Sequence, residues 1–249
     1  MQGIRVRLAQ AGERMSVLSS ELGPLFDALD RDGVIVAPCP VGYVAAASSA
    51  AGVDRIFELK GRDRSRPLSV AGAANREGRL FLEELSQLTV TALSTLRATM
   101  GLVGTRRDAT MGIPEGVGTA NSLAVFVGLG PVLEAVILRQ RSVGRDLFVT
   151  SANGSGAGNA VMASQLPKAL RSDAVAALID DARISERQRH LRPAPASPMV
   201  RLGPRPTLIR RGFQQRVVLD QLASAGIAVT SSGSLLPNER AITSIGPQS

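Results

Sequence analysis

Three observations predict an α/β fold for this chain. Apolar runs of strand length (Val34–Ala37, Leu123–Val127, Asp146–Thr150 and Val175–Ile179) alternate with stretches of helical period. Polar loops rich in Gly, Ser and Pro separate them. At 249 residues and 44% apolar composition the chain can bury a sizeable core. Aromatic residues make up only 3%, so that core must be built from Ala, Val, Leu and Ile.

Taken in order, Ile4, Val6 and Leu8 alternate as in a short strand. Ser19 or Ser20 caps a helix with Pro24 in its first turn, Leu22, Leu25, Phe26 and Leu29 on one face, and Gly33 as its stop. Val34–Ala37 reads as a buried strand running into a loop, Pro38–Tyr43. Arg55–Lys60 is amphipathic and helical, and an extended apolar segment follows Pro67. Arg76–Leu85 and Val90–Thr99 read as helices. Met100–Asn121 is glycine-rich and reads as a loop, one that could fold over a ligand with Arg106 and Arg107 or carry no chemistry. A strand at Leu123–Val127 and a helix from Pro131 to Leu138 come next. Strand Asp146–Thr150, helix Val161–Leu170, strand Val175–Ile179, two strands within Ser197–Gly212 and a helix at Val217–Leu222 complete the order. Residues 1–229 read as one domain, and the Ser/Gly/Pro-rich stretch 230–249 as a disordered tail.

Charge narrows the function classes. The net charge is +8, and Arg183–Arg216 alone holds nine Arg against the single acid Glu186. That favours anionic partners such as nucleotides, RNA or an acidic surface, with plain solubility as the alternative. With no Trp and one Tyr, base stacking on aromatic platforms is disfavoured. Cys39 is the only cysteine, so no intramolecular disulfide forms, which fits a reducing cytoplasm. No apolar run reaches membrane-spanning length and no signal peptide is recognisable. One His and one Cys leave no nitrogen–sulfur metal site, and His190 has no recognisable catalytic partner. Asp180 and Asp181 could bind a metal ion, but neighbours in an extended chain point opposite ways, so they read as a solvated turn.

The most informative stretch is Lys60-Gly-Arg62-Asp-Arg-Ser-Arg66-Pro67-Leu68. Twenty-seven of the 29 basic residues are Arg, and only Lys60 and Lys168 are Lys. A guanidinium fork and a compact ammonium around a pliable glycine suit a phosphate or carboxylate. An ordinary solvated charge run is the alternative. The second informative stretch is Ser151-Ala-Asn153-Gly-Ser155-Gly156, directly after a strand. Polar groups at a strand's carboxyl end lie where open α/β sheets bind ligands, although Asn-Gly and Ser-Gly are also turn dipeptides.

Together these stretches resemble the YrdC-type family, the threonylcarbamoyl-AMP synthases that begin a tRNA modification beside the anticodon. Helix, Lys60-x-Arg62, Pro67-Leu68 and an apolar strand match the family signature, as does Ser151-Ala-Asn153. Ser197 and Arg210 fall on its later strands, and Pro38 and Tyr43 on its amino-acid pocket. Cys39, Pro40 and Val41 stand where the family has Thr, an acid and Thr, and Phe126 where it has Arg. The sequence is therefore identified as a divergent member.

The resemblance implies an open twisted mixed sheet with flanking helices and a large cationic concave surface. It implies ATP, bicarbonate and threonine as substrates, with Mg²⁺, giving a carbamoyl-adenylate and pyrophosphate. Lys60 and Arg62 are then the catalytic candidates. Lys60, Arg62, Ser151, Asn153, Ser197 and Arg210 are the nucleotide-binding ones, with Pro38 and Tyr43 in the substrate pocket. The altered pocket leaves the acceptor open between threonine and another amino acid or amine. tRNA, double-stranded RNA or downstream tRNA-modification proteins are the implied partners. A carbamoyl-adenylate-handling carbamoyltransferase and a non-catalytic nucleotide- or RNA-binding protein are the other readings.

Overall fold

The computed structural model describes residues 11–72, 81–86, 92, 96–107, 112–154 and 158–231, without the side chains of 11–20, 86 and 231. The described strands form one ten-stranded mixed sheet in the order β10-β9-β8-β4-β5-β3-β6-β2-β1-β7. Helices flank it on both faces, which is the α/β class that the alternating pattern predicts.

Helix α1 (Ala11–Asp30) starts earlier than its serine cap signals suggest, so Pro24 lies inside the helix and not in its first turn. Leu22, Leu25 and Leu29 are buried by its inner face, and Asp32 takes a left-handed turn before the sheet. Strand β1 (Val34–Cys39) continues through the expected loop and pairs antiparallel with β2 (Gly42–Ala47). Pro38–Tyr43 is thus strand, turn and strand. The reason is burial: every residue of both strands is buried, and an unpaired backbone there would leave its polar groups without partners.

Helix α2 (Ala50–Lys60) is capped at its start by Ser49, whose hydroxyl accepts from Gly52 N at 3.1 Å. Its end is closed by Gly61 in the left-handed region at φ 53. Gly61 N donates to Glu58 O and Arg62 N to Phe57 O, a Schellman closure. Strand β3 (Ser69–Ala71) follows.

The predicted strand of Ile4–Leu8, half of the predicted helix at Arg76–Leu85 and half of that at Val90–Thr99 lie outside the described residues. Glu83–Ser86 is helical (α3), and Leu96–Thr99 is not. Part of the glycine-rich stretch read as a loop is strand β4 (Met100–Thr105), paired along its length with β5 (Ser122–Val127). Its glycines serve close packing: a Cβ at Gly104 would lie 2.4 Å from a carboxylate oxygen of Glu84, and one at Gly101 3.0 Å from Phe126 and Met199. Arg106 bridges to Leu82, and Arg107 pairs with Glu83 at 3.5 Å.

Helix α4 (Gly130–Ser142) has Pro131 in its first turn and runs one turn beyond Leu138. After β6 (Phe148–Ser151), the expected helix over Val161–Leu170 is two short 3₁₀ turns, Ala163–Gln165 and Lys168–Arg171. Pro167 between them has no N–H to donate and disfavours helical backbone at Leu166. Strand β7 (Val175–Ala177) and the short helix α5 (Glu186–His190) come next. Strands β8 (Met199–Arg201) and β9 (Thr207–Arg210) and helix α6 (Gln215–Ser224) follow. Thr230 and Ser231, placed in the tail by composition, form β10 against Thr207 and Leu208. The rest of that tail lies outside the described residues.

Two apolar clusters sandwich the sheet. The larger joins α2, α6 and one sheet face through residues such as Ile56, Val70, Leu102 and Leu222. The smaller joins α1 and α4 to the other face of β1, β2 and β6 through Leu25, Ile35, Val44 and Leu133. Leu102 is fully buried in the larger cluster. Leu102→Ala should therefore lower stability by about 2–5 kcal/mol in denaturant unfolding. A loss within the usual surface range would show that β4 is not part of the core.

Candidate functional site

The sheet positions the site by leaving part of one face uncovered. Along β6, β3, β5, β4 and β8 side chains alternate between faces. Phe148, Val70, Val125, Leu102 and Val200 are buried in the larger core. On the opposite face Ser151, Ser69, Ala124, Phe126, Val103 and Met199 are only half-buried.

At the carboxyl end of β6 the sheet meets the end of α2. The closure at Gly61 stops the helix with Lys60 turned inward, and its Nζ donates to the Ser151 carbonyl and, at 3.5 Å, to Thr150 Oγ1. Burial, and secondarily the Arg62 guanidinium, pulls the Lys60 pKa from 10.5 down to about 8. Arg62 folds back over its own loop, with Nε donating to Arg66 O at 2.8 Å and Nη2 to Pro67 O at 3.4 Å. Burial, then Arg66, lowers its pKa as well.

The charge run is thus two populations. Arg55 and Arg64 face solvent and pair with Glu58 at 3.3 Å and Asp54 at 2.6 Å. Among the described residues Lys60 and Arg62 have no carboxylate partner. Ser151 Oγ donates to Asn153 Oδ1, so the two polar side chains of the Ser-Ala-Asn run are held together.

Ser197 and Arg210 form a second group. Arg210 Nε donates to Ser197 O at 2.9 Å. Burial alone lowers its pKa to about 10, and no carboxylate among the described residues pairs with it. Ser197 is only 5% exposed. A run of backbone contacts links the two groups. Ala152 N donates to Tyr43 O and Tyr43 N to Ala160 O, both at 2.8 Å. Asn159 N donates to Ala194 O at 3.1 Å, and Phe213 N to Ala196 O at 2.9 Å.

Pro38 and Tyr43 are register partners in the β1–β2 hairpin, and both are buried. The Tyr43 hydroxyl donates to Asp181 Oδ1 at 2.6 Å, and burial, then Asp181, raises its pKa. Asp181 also accepts from Ala163 N, while Asp180 pairs with Arg183 at 2.8 Å. The two acids read as a solvated turn therefore hold structure together. His190 is exposed at the end of α5.

Sequence reasoning missed Thr150, which holds Lys60, and Asp181, which holds Tyr43. Thr150 had a signal, since it stands next to the Ser-Ala-Asn run. Asp181 had none, because its partner is 138 positions away. A concavity of about 440 Å³ bounded by Glu84, Leu202, Arg205 and Thr230 lies apart from these residues.

Fold and side chains together define an α/β protein with a half-exposed sheet face and half-buried cations near a strand's carboxyl end. Residues 27–212 match the family model Sua5_yciO_yrdC, described as telomere recombination, and the chain belongs to that family. It is similar to the hypothetical protein smu.1377c of Streptococcus mutans UA159, at 18% identity and TM-score 0.67 over 84% of this chain and 94% of that one. It is also similar to P. abyssi Sua5 complexed with L-threonine, at 17% identity and TM-score 0.62 over 92% of this chain and 63% of that one. Full-length HypF in the phosphate- and nucleotide-bound form gives 15% identity and TM-score 0.56 over 77% of this chain and 29% of that one. The chain therefore spans less than two thirds of those Sua5 and HypF chains, and at such identities the likeness is one of fold. A comparison with curated proteins found no match.

Two outcomes follow from the buried groups. Lys60 has a lower pKa folded than unfolded, so the unfolded chain binds more protons in the window from about 8 to 10.5. Its contribution to stability therefore rises with pH through that window. Amine acylation followed by mass spectrometry should give Lys60 a midpoint near 8, and a midpoint near 10.5 would contradict its burial. Tyr43→Phe leaves Asp181 without its buried donor and should cost about 1–3 kcal/mol in thermal unfolding.

Proposed function

We propose that this chain is an ATP-dependent nucleotidyltransferase of the threonylcarbamoyl-AMP synthase type. An amine and bicarbonate condense to a carbamate with loss of water, and the carbamate oxygen attacks the α-phosphorus of ATP. Carbamoyl-AMP forms and pyrophosphate leaves. The observation that carries this reading is the half-buried Lys60 ammonium, which has Arg62 beside it and is docked on Ser151 O with no carboxylate partner among the described residues. A polyphosphate supplies that charge, and its negative oxygens restore Lys60 to its protonated form.

In this reading Lys60 and Arg62 meet the triphosphate and offset the charge that grows on the departing pyrophosphate. Ser151 and Asn153 hydrogen-bond to the nucleotide or the carbamate. Ser197 and Arg210 complete the nucleotide side, and together these cations make the concave surface electropositive. Little covalent help from the protein is needed, because alignment of carbamate and phosphorus does most of the work. Mg²⁺ arrives with the triphosphate as part of the substrate. Among the described residues no group of three or more His, Cys, Asp or Glu could hold a metal ion.

Threonine, the ligand named for P. abyssi Sua5, is one acceptor to test. Cys39, Pro40 and Val41 put no carboxylate on the hairpin turn to pair with a substrate ammonium, which favours testing other amino acids and amines. We place the activity in the cytoplasm, at the start of tRNA threonylcarbamoyladenosine formation or of a diverged pathway. No helix among the described residues is long and apolar enough to cross a membrane.

Pyrophosphate release from ATP and bicarbonate should be measured across the amino acids. It should disappear in Lys60→Ala and fall about 10²–10³-fold in Arg62→Ala and Arg210→Ala. No release with any acceptor, together with salt-sensitive RNA binding, would replace this reading by a non-catalytic one. AMP formation dependent on carbamoyl phosphate would replace it by a carbamoyltransferase one. ATP affinity should weaken as pH rises past about 8, because the free Lys60 amine loses its charge there. Lys60→Ala should flatten that dependence in calorimetric titrations.

A further inference from the structure

Two amide side chains outside the family motifs occupy one place beneath the hairpin turn. Asn159 Nδ2 donates to Val41 O at 3.0 Å and to Pro195 O at 3.2 Å. Gln188 Nε2 donates to the same two carbonyls at 3.1 and 2.6 Å. Each NH₂ has two hydrogens and each carbonyl two lone pairs, so the four bonds close a saturated square. The square ties the turn between β1 and β2 to the segment that leads into β8.

That segment carries the second group of site residues. Asn159 N holds it at Ala194 O, and Phe213 N holds it at Ala196 O. The next residue, Ser197, receives Arg210 Nε on its carbonyl. Where Pro195 sits therefore sets where Ser197 and the Arg210 guanidinium sit. Ser185 N adds a bond to Pro40 O at 3.0 Å, which anchors the start of α5 to the same turn.

Gln188 is fully buried, and its Oε1 has no hydrogen-bond partner among the described residues. A side chain kept only to fill space would do so without that unpaired oxygen, as methionine of similar length does. Its NH₂ is the part with a role. We infer that Gln188 and Asn159 are a positioning pair, which holds the Pro195–Ser197 segment so that Ser197 and Arg210 face the nucleotide. The step from segment to nucleotide rests on the proposed function, while the clamp itself does not.

The experiment compares wild type with Gln188→Met, which keeps the length and removes the donors. Hydrogen–deuterium exchange on ligand-free protein reads the clamp, and calorimetric ATP affinity reads its consequence. Exchange should speed up in peptides covering residues 194–200 and 208–214, and ATP should bind on the order of tenfold to a hundredfold more weakly. In an Arg210→Ala background Gln188→Met should weaken binding little further, whereas with Lys60→Ala the two losses should multiply. A full extra loss in the Arg210→Ala background, or unchanged exchange, overturns the inference. If Gln188→Met does not fold, Asn159→Ala gives the same readouts, since Asn159 is half-buried. If wild type binds no ATP, the nucleotide reading fails, and exchange alone then decides whether the clamp exists.

Discussion

A half-buried ammonium with no carboxylate partner among the described residues is the constraint on which the rest of this site depends. Lys60 is held by a carbonyl and a hydroxyl, acceptors that carry only partial charge, and Arg62 beside it adds repulsion. Burying a charge costs free energy unless it is paired and hydrogen-bonded. The hydrogen bonds are supplied by the end of β6, and in the proposed function an anionic ligand brings the missing charge. Helix length matters for the same reason. The left-handed closure at Gly61 ends α2 where its last side chain reaches β6.

The scaffold tolerates this because its core is built elsewhere. Small and β-branched residues pack the sheet densely from both sides, and glycines in β4 let neighbouring side chains lie against the backbone. One face of the central strands is left half-exposed, with Phe126 leaning across Gly101 towards Met199. Ala124, Phe126, Val103 and Met199 make that face largely apolar.

Much of the architecture could be read locally. The strands around Val34, Leu123, Phe148 and Val175 are continuous apolar runs, and Pro131 marks a helix start. Gly101 and Gly104 misled, because glycine in a loop and glycine at a tight interstrand contact look alike in one dimension. Val161–Leu170 misled because its buried leucines carry a helical spacing that Pro167 interrupts. The hairpin at Pro38–Tyr43 was hidden by two prolines, one within a strand and one in the two-residue turn.

By itself the sequence determined the apolar alternation that selects the fold class, and the motifs that single out Lys60, Arg62, Ser151 and Asn153. These are short-range features, written in residues that are near neighbours in the chain. Tertiary structure decided which cations stay solvated and which are partly buried, for Arg64 and Arg62 are two positions apart and differ in exposure. It also decided that Tyr43 answers to Asp181, and that two distant amides share the carbonyls of Val41 and Pro195. Burial and hydrogen bonding depend on what the folded chain places opposite a group, and that partner can be more than a hundred residues away.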